Sequence, residues 1–356
     1  MLLQKIKLKG LFYGVLLIFS LLNGLSCTFA HKNKRVYAQA NAIQEGKAEC
    51  VMELNSRRIL YAKNAENSLP MASTTKILTA ITVLEMEKNI ERQIQIPKAA
   101  VGVEGSSVYL QENSQYSIKD LLYGLMLRSG NDCATALALY CGKSIENFAC
   151  LMNKTAQKAG ALHSNFKNPH GLPCRNHHTT AIDLALISCY AMQNPIFRDI
   201  VSTKYYAPRN WKNKNKILSF CDDGVGIKTG FTKEAGRCLV SARSQGNTTI
   251  ICTVLNCPNM YERSISLLDD AFALYTNECL MQKDRRFTLI HDKKSVQAYA
   301  DVEFYYPLLK EEFELVEIKT QNLLQSYYDE NKREIIGQFQ IYLAKQLLFS
   351  GNLYKL

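Results

Sequence analysis

Short apolar runs flank a polar triplet near the start of the mature region. Residues 50–54 and 59–62 read as two strands around an Asn55-Ser56-Arg57 turn. Downstream of Pro70 the spacing changes to one helical face. Ile77, Leu78, Ile81 and Leu84 predict a helix over roughly 73–88. Ser117 with Asp120 has the spacing of a capping box and opens a helix running to Leu127. Ser129-Gly130-Asn131 breaks it, and a new helix is expected from about Asp132 to Gly142. Further helices fit 145–159 and 180–192. The period then turns to two. Residues 226–232, 238–243 and 249–255 predict strands, the last two joined through Gln245-Gly246-Asn247, and an amphipathic helix is expected over 263–279. A helical middle between strand-forming ends implies an α+β domain with one antiparallel sheet. Beyond residue 285, β-rich runs at 302–306, 313–318 and 337–343, punctuated by Pro307 and Asp329-Glu330-Asn331, predict a small all-β unit.

The first residues have the pattern of a secretory signal. Lys5, Lys7 and Lys9 precede an apolar run at 11–22 that is short for a membrane span. Thr28-Phe29-Ala30 and Ala38-Gln39-Ala40 both offer cleavage sites. The expected organisation is therefore a signal peptide over 1–30, with cleavage as late as 40, then 41–282 and 285–356. A lipoprotein reading of Cys27 is disfavoured by the poor lipobox Gly24-Leu25-Ser26, and an uncleaved anchor is the alternative to cleavage. The segment up to Leu356 shows no long amphipathic helix, so no tail anchor is expected.

The formal charge is +11, and losing Lys5, Lys7 and Lys9 leaves +8. The basic residues are scattered and nothing resembles a nucleic-acid module. Attraction to an anionic surface is the better reading, which leaves peripheral contact with membrane or cell wall open. Twelve cysteines in an exported chain invite disulfides. However, Cys133, Cys141, Cys189, Cys238, Cys252 and Cys279 fall inside apolar helix or strand patterns, where Cys acts as a small hydrophobe.

Three strings carry chemistry. In Ser73-Thr74-Thr75-Lys76, the hydroxyl and amine lie three apart on one helical face, so the amine can serve as base. Such a base must be partly neutral, which burial and a second cation, Lys228, would favour. Ser129-Gly130-Asn131 adds a hydroxyl for proton relay and an amide for a substrate carbonyl. In Lys228-Thr229-Gly230, cation and hydroxyl suit a carboxylate, and Gly230 permits close backbone approach. The Phe231 and Ser73 N–H groups would form an oxyanion hole. Singly, these strings read as an N-cap, a helix-connecting turn and a surface strand. Together and in this order they read as one site. His163, His170, His177, His178 and Cys174 crowd one stretch, but their spacing matches no zinc motif, so neither metal nor cofactor is expected.

With these strings, and with Gly105-Ser106-Ser107, residues 120–126, Asn168-Pro169-His170-Gly171-Leu172 and Phe231-Thr232, the chain resembles the low-molecular-mass penicillin-binding proteins, specifically serine-type D-alanyl-D-alanine carboxypeptidases of the sporulation-associated subgroup. The resemblance implies a penicillin-binding, serine β-lactamase-like domain. Its substrates would be peptidoglycan stem peptides, and β-lactam antibiotics would act as covalent inhibitors. It implies acylation of Ser73, Lys76 as base, and Ser129, Asn131, Lys228 and Thr229 binding substrate and moving protons. Arg263 would help to hold the terminal carboxylate. A serine β-lactamase shares the strings, but the class A type carries a glutamate absent from Asn165-Phe166-Lys167-Asn168-Pro169. The same strings also fit a D,D-endopeptidase or a non-catalytic penicillin-sensing wall-binding module.

Overall fold

The computed structural model describes residues 44–291 and 294–356, so the expected leader lies outside the described residues. Five antiparallel strands form the main sheet in the order Ile59–Lys63, Ala48–Glu53, Thr248–Leu255, Gly236–Gln245, Gly224–Thr232. Both ends of the segment thus meet in one sheet, as the strand–helix–strand pattern implied. Glu53 closes the first hairpin by accepting hydrogen bonds from the Asn55 and Ser56 amides at 3.1 and 2.7 Å.

Both faces of this sheet are covered. Cys50, Met52, Val240 and Ile251 join the core beneath the helical middle, whereas Val51, Leu239, Cys252 and Val254 pack under helix Met260–Leu274. That explains the weak apolar–polar alternation of these strands, since a strand buried on both faces reads as a continuous apolar run. Helices Lys76–Met86, Asn131–Gly142, Ile145–Ala159 and Ala181–Met192 build the middle. Several start where a side chain can satisfy orphan amides. Ser117, Ser144 and Thr180 each accept from the N–H three residues on, and Asn194 caps Pro195–Ser202.

Several expectations change; the β run read at 313–318, for one, begins as a 3₁₀ turn over Lys310–Leu315 and becomes a strand only at Val316–Tyr328. The helix predicted from Ser73 is a 3₁₀ turn over Ala72–Thr75 that becomes α-helical only at Lys76. The last helix ends at Leu274, and Tyr275–Met281 is a strand pairing with Phe304–Leu309. Pro307 lies inside that second strand instead of ending one. This is tolerated because the strand has a partner on one side only. A second five-stranded antiparallel sheet follows, in the order Arg286–His291, Lys294–Ala300, Gln346–Lys355, Glu334–Leu343, Val316–Tyr328. It has its own core around Met281, Ile336, Phe339 and Leu353. The Asp329-Glu330-Asn331 turn forms as expected, with the Asp329 carboxylate accepting from the Asn331 and Arg333 amides. The eleven described cysteines are free; Cys133, Cys189, Cys238 and Cys252 are buried, while Cys141 and Cys279 are only partly so. Among the described residues no helix is long and apolar enough to cross a membrane.

Candidate active site

The site forms where the edge strand Gly224–Thr232 meets the Ala72–Thr75 turn and the break before Asn131–Gly142. Contact there is backbone against backbone. A Cβ on Gly230 would lie 2.9 Å from the Ser73 nitrogen and 3.0 Å from the Met71 carbonyl oxygen. On the other side, a Cβ on Gly171 would fall 1.9 Å from the Ala72 carbonyl oxygen. Ser73 is therefore held between a strand and a loop that both exclude side chains.

A 3₁₀ turn has three residues per turn, so residues i and i+3 eclipse. This brings the Lys76 Nζ to 2.9 Å from the Ser73 Oγ. The other two neighbours of this nitrogen are the Asn131 Oδ1 at 2.6 Å and the His170 carbonyl oxygen at 2.7 Å. The Asn131 Nδ2 donates to the Glu104 carbonyl, which fixes Oδ1 toward the lysine. Both neighbours can only accept. A neutral Lys76 therefore spends its two N–H bonds on them and aims its lone pair at the Ser73 hydroxyl, the arrangement a base requires. Burial, and then the nearby positive charge of Lys228, hold the Lys76 amine well below the usual lysine range.

Ser129 follows a π-helical turn over Gly124–Arg128 and is itself left-handed, at φ 64°. Its Oγ accepts from the Lys228 Nζ at 3.1 Å, and the same nitrogen donates to the Thr229 carbonyl at 2.9 Å. Lys228 is fully buried, and burial, followed by the charge of Lys214, brings its amine down to about 7. Ser73, Ser129, Thr229, Gly230 and the exposed Phe231 line one cleft of about 460 Å³.

Arg263 is not in that cleft. It is buried in the core on the far side of the sheet, with its guanidinium paired to the Glu49 carboxylate at 2.7 and 2.9 Å and bonded to the Tyr61 hydroxyl. A buried guanidinium needs a buried counter-charge, and Glu49 supplies it. The cations that do line the cleft are Lys214, Lys216 and Arg237. Sequence reasoning missed them. For Lys214 and Lys216 the run Trp211-Lys212-Asn213-Lys214-Asn215-Lys216, with a lysine at every second position, was the available signal. It also missed Asp132, a buried carboxylate that accepts from the Ser107 hydroxyl and the Val108 and Leu110 amides. Asp132 thereby holds the loop whose Ser106 forms a cleft wall.

Of the crowded histidines, His177 is a brace. Its Nδ1 accepts from the Lys167 amide at 3.0 Å, so its Nε2 carries the hydrogen and donates to the Thr75 Oγ1, also at 3.0 Å. Burial lowers it to about 4 and keeps it neutral. Among the described residues no group of three or more His, Cys, Asp or Glu side chains is placed to hold a metal ion.

A family model described as D-alanyl-D-alanine carboxypeptidase, peptidase S11, matches residues 34–259. The chain belongs to this family. Among similar family members, D-alanyl-D-alanine carboxypeptidase DacF of Bacillus subtilis is 28% identical over 278 residues, 74% of this chain and 72% of the relative. The corresponding DacA of Haemophilus influenzae is 30% identical over 329 residues, 85% of this chain and 82% of the relative. In solved structures, penicillin binding protein 5 from Haemophilus influenzae superposes with a TM-score of 0.73 at 26% identity, covering 88% of this chain and 97% of that one. The penicillin-binding fold implied by the motifs is thus the fold of this chain, from the sheet and helical middle through the C-terminal β region.

Proposed function

We propose that this protein is a serine D,D-carboxypeptidase that removes the terminal D-alanine from peptidoglycan pentapeptide stems through an acyl-enzyme on Ser73, and that β-lactams acylate the same hydroxyl. One observation carries this reading: the Lys76 amine, desolvated and held by two acceptor-only groups, lies 2.9 Å from the Ser73 Oγ. In the first step Ser73 Oγ bonds to the carbonyl carbon of the penultimate D-alanine, and its proton passes to Lys76 Nζ. A positioned base of this kind contributes on the order of 10²–10⁴ in rate. The Ser73 and Phe231 amides receive the oxyanion, each donor worth roughly 2.7–4 kcal/mol. Collapse breaks the peptide bond, and the leaving amine takes a proton through Ser129. Asn131 holds the substrate carbonyl and Thr229 the terminal carboxylate, with Lys228, Lys214 and Arg237 supplying positive charge. Water then takes the place of the departed D-alanine and hydrolyses the ester.

The finer reading extends to export. A leader over 1–30, cleaved there or as late as 40, would deliver a catalytic unit over 41–282 and a β unit over 285–356 to the wall or membrane surface. The separate C-terminal core supports this division. N-terminal sequencing should find a chain beginning near His31 or Asn41. Placement in the sporulation-type subgroup predicts that the protein accumulates during spore formation. Intact-mass spectrometry after penicillin treatment should show one adduct on the Ser73 peptide, absent in Ser73→Ala. The purified enzyme should release free D-alanine from a peptide ending in D-Ala-D-Ala and hold penicillin for minutes or longer. Rapid β-lactam turnover without D-alanine release would give the site to a β-lactamase instead.

A further inference from the structure

One wall of the cleft carries more positive charge than a single substrate carboxylate can balance. Lys214, Lys216 and Arg237 line it. Lys212 stands two residues before Lys214, and the Arg128 guanidinium donates to the Lys212 carbonyl at 3.1 Å. Among the described residues none of these cations forms an ion pair. Cations elsewhere on the protein are matched, Lys119 by Glu91, Arg209 by Asp120 and Arg243 by Asp223. Burial, and then the positive charge of Arg128, lower the Lys214 amine. Like charges gathered without a counter-charge repel one another, and an arriving anion relieves that repulsion.

The alternation along 211–216 turns the lysines outward. Asn213 donates from its Nδ2 to the Val201 and Thr203 carbonyls at 3.3 and 3.0 Å. The buried Asn215 accepts from the Ile217 amide at 3.2 Å. With both asparagines anchored inward, Lys212, Lys214 and Lys216 are all exposed. The Tyr261 hydroxyl pins the far end by accepting from the Lys216 amide at 3.2 Å. The Lys214 Nζ reaches the Ser106 Oγ at 3.5 Å, at the cleft wall. Lys212 and Lys216 are at most about 14 Å of chain apart. The three lysines thus form a ledge that starts on the open surface and ends inside the cleft.

We infer that this ledge binds a linear anionic polymer with repeating phosphodiesters, and that the bound polymer occupies the mouth of the cleft. Lys212 takes a phosphate on the open surface, while Lys214 and Lys216 take those that follow. A lone carboxylate or phosphate meets one or two of these cations and leaves the others unbalanced, whereas a chain of phosphates matches the row charge for charge. A flat bilayer meets only the outermost lysine, but a single flexible chain can follow the row inward. The basic excess of the protein thereby acquires a place and a partner, and the polymer competes with any carboxylate ligand that draws on Lys214.

The test measures calorimetric binding of poly(glycerol phosphate) to the purified protein over a range of salt. Affinity should fall steeply with salt, because each cation that meets a phosphate releases condensed counterions. Lys212→Gln should weaken binding about two- to fivefold, the worth of one exposed charge pair. It should also lower the slope of log K against log salt by about one, and Lys212→Arg should restore both. Lys216→Gln, a second variant on the same row, should act in the same direction. Saturating polymer should slow penicillin acylation of the unmodified protein, and without polymer Lys212→Gln should acylate at the unmodified rate. Binding is read without turnover, so a failure of the carboxypeptidase reading leaves this arm standing. Affinity indifferent to both substitutions, or acylation indifferent to saturating polymer, overturns the ledge. Glycerol phosphate monomer binding as tightly as the polymer reduces it to a site for one anion and overturns the inference. Phosphatidylglycerol vesicles that bind with the same Lys212 dependence, while the polymer does not bind, give the surface to a membrane instead.

Discussion

Two buried lysines divide one task at the residue scale. Lys76 must be neutral to take the Ser73 proton, whereas Lys228 serves a carboxylate best when charged. Both are pulled down by burial, and each further by another lysine, Lys76 by Lys228 and Lys228 by Lys214. The sign of the pH dependence follows. Activity rises with pH as Lys76 loses its proton, then falls as Lys228 does so near pH 7. The kcat/KM profile should therefore be bell-shaped, since that parameter reports the free enzyme. Arginine stays protonated throughout this range. Lys76→Arg should abolish acylation, a loss of about 10²-fold or more. Lys228→Arg should keep measurable activity and lose the alkaline limb. Penicillin acylation rates measured from acid to alkaline pH check both, and an alkaline limb surviving in Lys228→Arg would refute the division of roles.

At the scale of elements, the decisive piece is the short Ala72–Thr75 turn and the two glycines that press on it. Gly171 adopts φ +87° with its missing Cβ 1.9 Å from the Ala72 carbonyl. Gly171→Ala should destabilise by roughly 1–3 kcal/mol and also slow acylation, because relief must come from moving the turn that carries Ser73. Gly160 is the control. Its φ of +90° is equivalent, but its nearest neighbour is the Leu186 Cδ1 at 4.0 Å. Gly160→Ala should carry only the backbone penalty, about 1 kcal/mol, with acylation unchanged. Thermal melting together with penicillin labelling separates the two variants.

Across the whole molecule, the first hairpin joins the catalytic sheet to the C-terminal β region. Arg58 donates to the Pro307 carbonyl at 2.5 Å and pairs with Glu312 at 2.6 Å. Its guanidinium lies against the Tyr275 and Tyr306 rings, 5.2 and 5.1 Å from their centroids. The pair is largely covered, and a charged hydrogen bond in such a position is worth about 1.5–3 kcal/mol. Arg58→Ala should loosen the attachment and expose the chain near residue 283 to limited proteolysis. The rate of penicillin acylation should not change, because nothing in the cleft touches Arg58. Slowed acylation in this variant would show that the β region supports the site as well as being carried by it.

Periodicity and local chemistry made much of this protein legible from its chain. Helix Ile145–Ala159 has the bounds read from its 3.6 period, and Ser73, Lys76, Ser129, Asn131 and Lys228 all stand within three short strings. Those signals are local, written within a few residues of one another. What lay beyond them needed partners distant in sequence. Lys76 meets Asn131 across 55 residues and Lys228 meets Ser129 across 99. Tyr275–Met281 looks helical by continuation but becomes a strand because Phe304–Leu309 offers it a ladder. Arg263 reads as a free cation until Glu49, buried with it, shows where the charge is neutralised. Lys214 and Arg237 read as scattered surface charge until the fold brings them to one wall. Residue types and periods are properties of neighbours along the chain. The destination of a charge, or the partner of a strand edge, depends on what the folded core buries beside it.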